Sequence, residues 1–98
     1  MMTPIIPVTF GRVILNADVA DRKMDAFAAI SNALGDNRRA VGGQWIVSSL
    51  RGPVIEAFPE TDQPRAKEDW AKDIARDALN DLGLRGQYKI KDQDNRHL

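Results

Sequence analysis

Cysteine is absent from this sequence, and histidine occurs once, as His97. The lack of cysteine excludes thiol catalysis, thiolate metal sites and a disulfide framework. It is also typical of a reducing compartment, so we expect a cytoplasmic location. A single histidine cannot build a histidine metal cluster or, within one chain, a convincing Ser-His-Asp triad. We therefore expect a protein that is not an enzyme and that needs no metal or cofactor.

Net charge is also absent, because 14 basic and 14 acidic residues cancel. No global field therefore draws the protein to nucleic acid or to an anionic membrane, although a local basic patch stays open as an alternative. Charged residues make up 29% and hydrophobic residues 43% of the chain. These proportions are ordinary for a globular domain and too apolar for wholesale disorder.

Long apolar runs are missing as well. The longest apolar cluster in a predicted helix, residues 26–30, is far shorter than the roughly 20 residues of a spanning helix, so we expect no membrane contact. Residues 1–7 carry two prolines and no basic leader, so they do not have the pattern of a secretory signal.

Two dense apolar runs separated by a turn signal lie within residues 43–58. The runs, 45–47 and 54–58, are rich in the β-branched and aromatic side chains that suit a pleated sheet. Gly52 adopts positive φ readily, and Pro53, which has no N–H, fits the first position of a strand. We interpret this stretch as a β-hairpin around which the rest of the chain is organised.

The chain before the hairpin predicts a strand and a helix. Residues 8–15 are apolar on both alternate sets, which is typical of a central strand. Asp18 is the predicted N-cap of a helix that runs to Leu34 and ends at Gly35. Residues 36–43 are expected to form a mobile loop. The predicted apolar stripe of this helix consists of Met24, Phe27, Ala28, Ser31 and Leu34, joined by Ala20 and Ile30.

The chain after the hairpin predicts a second helix and a last strand. Pro64 suits the first turn of the helix, and Gly83 ends it. Residues 86–91 alternate, with Lys89 and Lys91 on one side, which is typical of an edge strand protected by charge. The predicted buried face of the second helix consists of Trp70, Ala71, Ile74, Ala75, Ala78 and Leu82, with Leu79 at its edge.

The predicted order of strand, helix, strand, strand, helix, strand is the ferredoxin-like βαββαβ arrangement of an α+β domain. It predicts a four-stranded antiparallel sheet with two helices on one face and the first and third strands in the centre. We expect a single domain over residues 1–98, with flexible ends at 1–7 and 92–98. The register of the sheet stays open, because both central strands are apolar on two sides.

A row of acidic side chains on the predicted second helix is the first candidate site. One interpretation is an acidic ridge that binds a basic partner surface. The alternative, which we favour, is a solvated helix face, because Lys72 and Arg76 stand three residues after the first two aspartates and exposed charge pairs contribute little. The candidate partner-binding residues here are Asp69, Asp73 and Asp77, and Asp81 continues their spacing.

The second candidate is a basic group that could converge on the uncovered face of the sheet if the strand registers allow it, formed by Arg12, Arg51, Lys89 and Lys91. Arg12, Lys89 and Lys91 are its possible nucleic-acid contacts. Domains of this architecture can bind RNA there by stacking bases on aromatic residues of the central strands, here Phe10 and Phe58. The specific Lys/Arg-Gly-aromatic-Gly/Ala-aromatic run of RNA-binding domains is absent. Packing in the core is the favoured interpretation for both phenylalanines.

The two tryptophans are the largest apolar side chains, and each indole N–H needs a partner. Trp70 is predicted to face the sheet within the core. Trp45, at the start of an edge strand, is also predicted to be core, with a partner contact as the alternative. Arg51, in the hairpin turn, is a further candidate for contact with a partner.

Three functions stay open. The leading hypothesis is a small non-enzymatic interaction or regulatory module that binds a protein partner or itself, as a homodimer, through the sheet face, the sheet edge or the second helix. The second is nucleic-acid binding across the open sheet face. The third is a small dimeric enzyme or ligand-binding protein of ferredoxin-like fold, which needs a polar cavity between helices and sheet, whereas the apolar stripes predict a filled core.

Overall fold

The computed structural model describes residues 11–59 and 68–91. The predicted flexible ends, the first part of the predicted first strand, Phe10 and Pro64 lie outside these ranges. The elements in chain order are β1 (Gly11–Leu15), a 3₁₀ segment (Ala17–Arg22), α1 (Lys23–Asp36), β2 (Trp45–Ser49), β3 (Val54–Pro59), α2 (Glu68–Asp81) and β4 (Tyr88–Lys91).

The four strands form one antiparallel sheet in the order β2-β3-β1-β4. This order confirms that β1 and β3 are central and that β2 and β4 are the edges. With two helices packed on the sheet, the molecule is a small α+β fold whose strand order is compatible with the predicted ferredoxin-like arrangement.

The core lies between the sheet and the two helices. Val13 of β1 stands opposite Ile55 of β3 in the register, and both side chains are fully buried. Full burial of a large aliphatic side chain contributes roughly 1.5–3 kcal/mol. The larger side chains buried in this layer are Val13, Ile30, Leu34, Val41, Ile55, Leu79 and Leu84. The space between helices and sheet is therefore filled by apolar side chains, as the sequence predicts.

The start of the first helical region differs from the prediction. The chain first forms the 3₁₀ segment, with Asn16 in the N-cap position and no side-chain capping bond, and the α-helix begins only at Lys23. Asp18 therefore lies inside the 3₁₀ segment, where its carboxylate is in the first turn. The prediction of Asp18 as N-cap was wrong, because the helical region begins at Ala17 and Asn16 holds the N-cap position, two residues before Asp18.

The end of α1 also differs, since the helix continues through Gly35 instead of stopping there. Past Gly35 the Ala33 carbonyl accepts the regular helical bond from the backbone N–H of Asn37 at 3.1 Å and a second bond from the Asn37 side-chain Nδ2 at 2.8 Å. Asn37 thus occupies the C-cap position with negative φ, and the helix ends without a left-handed residue.

The buried face of α1 matches the predicted stripe only in part. Ile30 and Leu34 are fully buried, as predicted, and Phe27 packs partly buried against the core. Ala26 joins this face, whereas Met24 is 63% exposed and Ala28 and Ser31 are exposed as well. The helix carries alanines on several sides, so the spacing of apolar residues alone did not define one face. The bulky Ile30 and Leu34 define the face that packs on the sheet.

The buried face of α2 also matches the prediction only in part. Ala71, Ala75 and Leu79 are fully buried, so Leu79 lies at the centre of the face and not at its edge. Trp70 is 49% exposed, and its prediction as a core residue was wrong. Since successive helical residues differ by about 100°, burial of Ala71 turns the neighbouring Trp70 away from the sheet.

The segment between α1 and β2 is attached to the core. Val41 is fully buried, and its carbonyl accepts a 2.8 Å hydrogen bond from Nε1 of Trp45. Trp45 is 6% exposed, so it is a core residue, as the favoured interpretation held. The expectation of a mobile loop over 36–43 therefore does not hold at Val41.

Candidate binding surface

One side of the sheet faces away from α1 and α2. In each strand the residues that alternate with the core residues point to this side, as the pleat of a strand requires. We call this surface the open face. Its described members are Arg12, Ile14, Ile46, Ser48, Val54, Glu56, Phe58, Lys89 and Lys91.

The register arranges the open face in three rows. At one end Ile46 stands opposite Phe58 across β2 and β3. The middle row runs across all four strands, from Ser48 through Glu56 and Arg12 to Lys91. The third row runs from Val54 through Ile14 to Lys89. Apolar side chains therefore occupy the β2–β3 side of the face, and the two lysines occupy the β4 edge.

The charges of the open face are only partly balanced. Arg12 Nε lies 3.4 Å from Glu56 Oε2, with the two side chains 50% and 19% exposed. Among the described residues, neither Lys89 nor Lys91 forms an ion pair, and both are exposed. An exposed pair such as Arg12–Glu56 contributes little to stability, so an anionic ligand can displace the Glu56 carboxylate from the guanidinium at small cost.

Charge is segregated between the layers of the domain. The four strands carry three basic residues and one acidic residue, Glu56. By contrast, all eight aspartates of the described ranges lie in the 3₁₀ segment, α1 or α2, which contain four basic residues. The zero net charge of the chain therefore conceals a basic sheet surface and an acidic helical layer.

The aspartates of α2 are exposed, and their surroundings differ along the helix. Asp73 Oδ1 accepts a 3.0 Å bond from Arg76 Nη1, as the solvated-face interpretation requires. Asp77 and Asp81, together with Asp36 of α1, border a groove of about 480 Å³ between the two helices. The predicted partner residues Asp69, Asp73 and Asp77 therefore lie on the helical side of the molecule, apart from the open face.

The hairpin turn is held by a side chain that the sequence reasoning did not select. Lys23 Nζ, at the start of α1, donates to the carbonyls of Leu50 and Gly52. Arg51 is exposed in this turn, outside the rows of the open face. Trp45 offers almost no surface to a partner, so of these two candidates only Arg51 is accessible.

The open face also contains apolar residues that the sequence reasoning missed. Ile46 is 39% exposed, although it adjoins the buried Trp45. Ile14 and Val54 are half-buried on the same face. Alternation places Ile46 opposite to Trp45 and Val54 opposite to Ile55, but the sequence does not show which side is buried where a strand is apolar on both sides.

Tyr88 is turned toward the helices, on the opposite side of β4 from the lysines. Its hydroxyl donates to Asn80 Oδ1 at 2.9 Å. Burial raises the pKa of Tyr88 above its ordinary value; Arg76 and Arg85 act in the lowering direction and Asp77 in the raising direction. The neutral phenol therefore belongs to the folded state at physiological pH.

A metal-binding cluster and a membrane-spanning helix are both absent from the described ranges. Within residues 11–59 and 68–91, no group of three or more His, Cys, Asp or Glu side chains is placed to hold a metal ion. Nor do those ranges contain a helix with the length and apolar character to cross a membrane. His97 lies outside them.

Comparison with protein-family models, with curated proteins and with solved structures found no match to this chain. Its function has to be inferred from the geometry of the described residues.

Proposed function

We propose that this protein is a small non-enzymatic binding module that acts through the open face. The observation that supports the proposal is the composition of this surface. Arg12, Lys89 and Lys91 share this surface with partly exposed apolar side chains, including Ile46 and Phe58, and no described helix lies on that side of the sheet. A surface of mixed apolar and charged groups of this kind is typical of an interaction site.

The architecture also supports a binding role over an enzymatic one. The layer between helices and sheet is filled by apolar side chains, whereas an enzyme or ligand-binding domain of this size needs a pocket with convergent polar groups. The cysteine-free sequence supports the further proposal that the module acts in the cytoplasm.

The experiment that tests this proposal is a map of backbone amide chemical shifts by NMR. Three probes are compared: the protein itself at rising concentration, a mixed pool of single-stranded oligonucleotides, and a polylysine peptide directed at the acidic groove between the helices. We expect the largest shift changes at Ile46, Phe58, Lys89 and Lys91 with at least one probe. Changes confined to the groove, or none with any probe, would overturn the proposal.

Two substitutions, one on the open face and one away from it, test whether binding depends on the open face. Ile46→Asp places a charge in the apolar part of the open face, and Met24→Asp places one on α1, where the side chain is 63% exposed. We expect the first variant to reduce binding and the second to leave it unchanged. Equal behaviour of the two variants would argue against the open face.

A further inference from the structure

We infer that the ligand of the open face is a single-stranded nucleic acid, with its phosphates along Arg12, Lys89 and Lys91 and its bases over Phe58 and Ile46. This inference rests on the proposed function and names the class of partner. The inference about the ligand is based on the register of the sheet, which places three cationic side chains and an apolar pair on one surface.

The charge of the open face selects an anionic ligand. Three basic residues stand against the single carboxylate of Glu56, and that carboxylate is already 3.4 Å from Arg12. A homodimer in which the two β4 edges meet would place the lysines of both copies together, and such juxtaposition opposes association. That arrangement of two copies is therefore disfavoured by the feature that favours a polyanion.

The distribution of groups across the face matches a chain that has charge on one side and flat apolar groups on the other. The lysines lie on β4, and Phe58 lies two strands away, about 10 Å at the usual strand spacing. Along β4 the two lysines are separated by about 7 Å. A backbone that follows β4 and β1 can therefore direct its bases toward β3 and β2, where stacking on an aromatic ring tolerates any base.

The lack of a projecting element among the described residues of the open face favours a single strand over a duplex. Reading a duplex groove requires a helix or a β-ribbon that projects into it. None of the described elements projects from the open face, because α1 and α2 pack on the opposite side. Unpaired bases, by contrast, expose their faces to a flat surface.

Glu56 opposes the binding of this ligand. Its substitution is therefore expected to change the affinity in the opposite direction from the removal of a basic residue. Its carboxylate occupies the Arg12 guanidinium and repels phosphate. Removal of that charge by Glu56→Gln should free Arg12 and strengthen binding. A substitution that raises affinity cannot be explained by loss of the fold.

The test is fluorescence anisotropy of a labelled mixed-sequence DNA oligonucleotide of about 12 nucleotides, within the usual site size of such surfaces. Three phosphate contacts predict a salt slope of about −2 on logarithmic axes, so a rise from about 50 to 200 mM salt should weaken binding by about twentyfold. The double variant Lys89→Gln, Lys91→Gln should weaken binding by roughly tenfold or more and reduce the slope by about two-thirds.

The matched control is the double variant Arg38→Gln, Arg39→Gln, which makes the same change of charge at exposed residues outside the open face. It should bind as the unmodified protein does. Phe58→Leu, which keeps an apolar side chain but removes the ring, should weaken oligonucleotide binding and leave binding of polyglutamate unaffected. Circular dichroism verifies the fold of each variant.

The outcomes separate the two proposals. If polyglutamate binds as tightly as the oligonucleotide and Phe58→Leu has no effect, the nucleic-acid inference is overturned and the open face remains a site for acidic polymers. If the protein gains mass with its own concentration, ignores the oligonucleotide, and loses self-association in the Ile46→Asp variant, the ligand is a second copy. If neither binding nor self-association involves the open face, both proposals fail.

Discussion

The two sides of the same sheet differ in burial and charge, although the residues that form them alternate in the chain. On the inner side Val13 and Ile55 are fully buried and hold α1 and α2 to the sheet. On the open face the adjacent residues Arg12 and Val54 remain at least partly exposed. The comparison teaches that stability and binding can be changed separately by substitutions one residue apart, because neighbouring strand side chains point in opposite directions.

The largest expected effect tests that separation at two adjacent positions of β3. Ile55→Ala removes a fully buried side chain and should lower the free energy of unfolding by about 2–5 kcal/mol. Val54→Ala, on the open face, should cost less than half as much, because its side chain is only half-buried. Urea denaturation of the two variants measures both values, and equal losses would contradict the assignment of the faces.

The next effect concerns the link between α1 and the hairpin. Lys23→Met keeps the aliphatic stem but removes the charged donor to the carbonyls of Leu50 and Gly52. Hydrogen bonds to a charged group are worth roughly 1.5–3 kcal/mol, so a loss at the lower end of this range is expected at this partly exposed site. Hydrogen exchange should show faster opening of the hairpin turn, and Lys72→Met on α2 is the comparison that should leave the turn unchanged.

A smaller effect is expected at Tyr88, which belongs to the inner side of β4. Tyr88→Phe removes the 2.9 Å bond to Asn80 Oδ1 and should cost about 1 kcal/mol at neutral pH. Chemical denaturation at pH 7 measures this loss. An unchanged unfolding free energy would show that the bond contributes nothing to stability.

The same residue predicts a pH dependence of stability. Because burial raises the pKa of Tyr88 in the folded state, its stabilising contribution is complete below the unfolded pKa of about 10 and is lost as pH rises through the higher folded pKa. The unmodified protein should therefore lose stability relative to Tyr88→Phe at alkaline pH. Denaturation of the two proteins is measured at a series of pH values from 8 upward. A difference in unfolding free energy that does not change with pH would contradict the prediction.

The smallest effect on stability is expected at the open face itself. The double variant Lys89→Gln, Lys91→Gln changes exposed residues without an ion pair among the described residues, so the free energy of unfolding should stay within about 0.5 kcal/mol of the unmodified value. The same variant is expected to lose most of its oligonucleotide affinity. A large loss of stability would show that the lysines support the fold and would remove the distinction between the two sides.

Several features of the fold were predictable because they depend on local patterns. The hairpin over β2 and β3 follows from two apolar runs separated by Gly52 and Pro53. The edge position of β4 follows from the alternation of Tyr88 and Ile90 with the two lysines. In a strand that alternates in this way, the apolar side chains face the core and the lysines face solvent, which is typical of an edge strand.

The faces of the helices were less predictable. In α1 the alanines lie on several sides, so Met24 was expected to be buried and is 63% exposed. In α2 Ala71 and Ala75 are fully buried as predicted, but Trp70, whose bulk suggested a core position, is 49% exposed, and Leu79, predicted at the edge, is fully buried. Size and hydrophobicity did not decide these faces; the contact between helix and sheet did.

The sequence by itself determined the order of the elements, the central positions of β1 and β3, and the side of β4 to which Lys89 and Lys91 point. Only the tertiary structure decided the register of β1 against β3, because both strands are apolar on their two sides and a shift of one residue reverses every side chain. That register pairs Val13 with Ile55 in the core and so places Arg12 and Phe58 on the same surface as the lysines. The candidate binding surface is thus a consequence of long-range strand pairing, which no local pattern in the chain specifies.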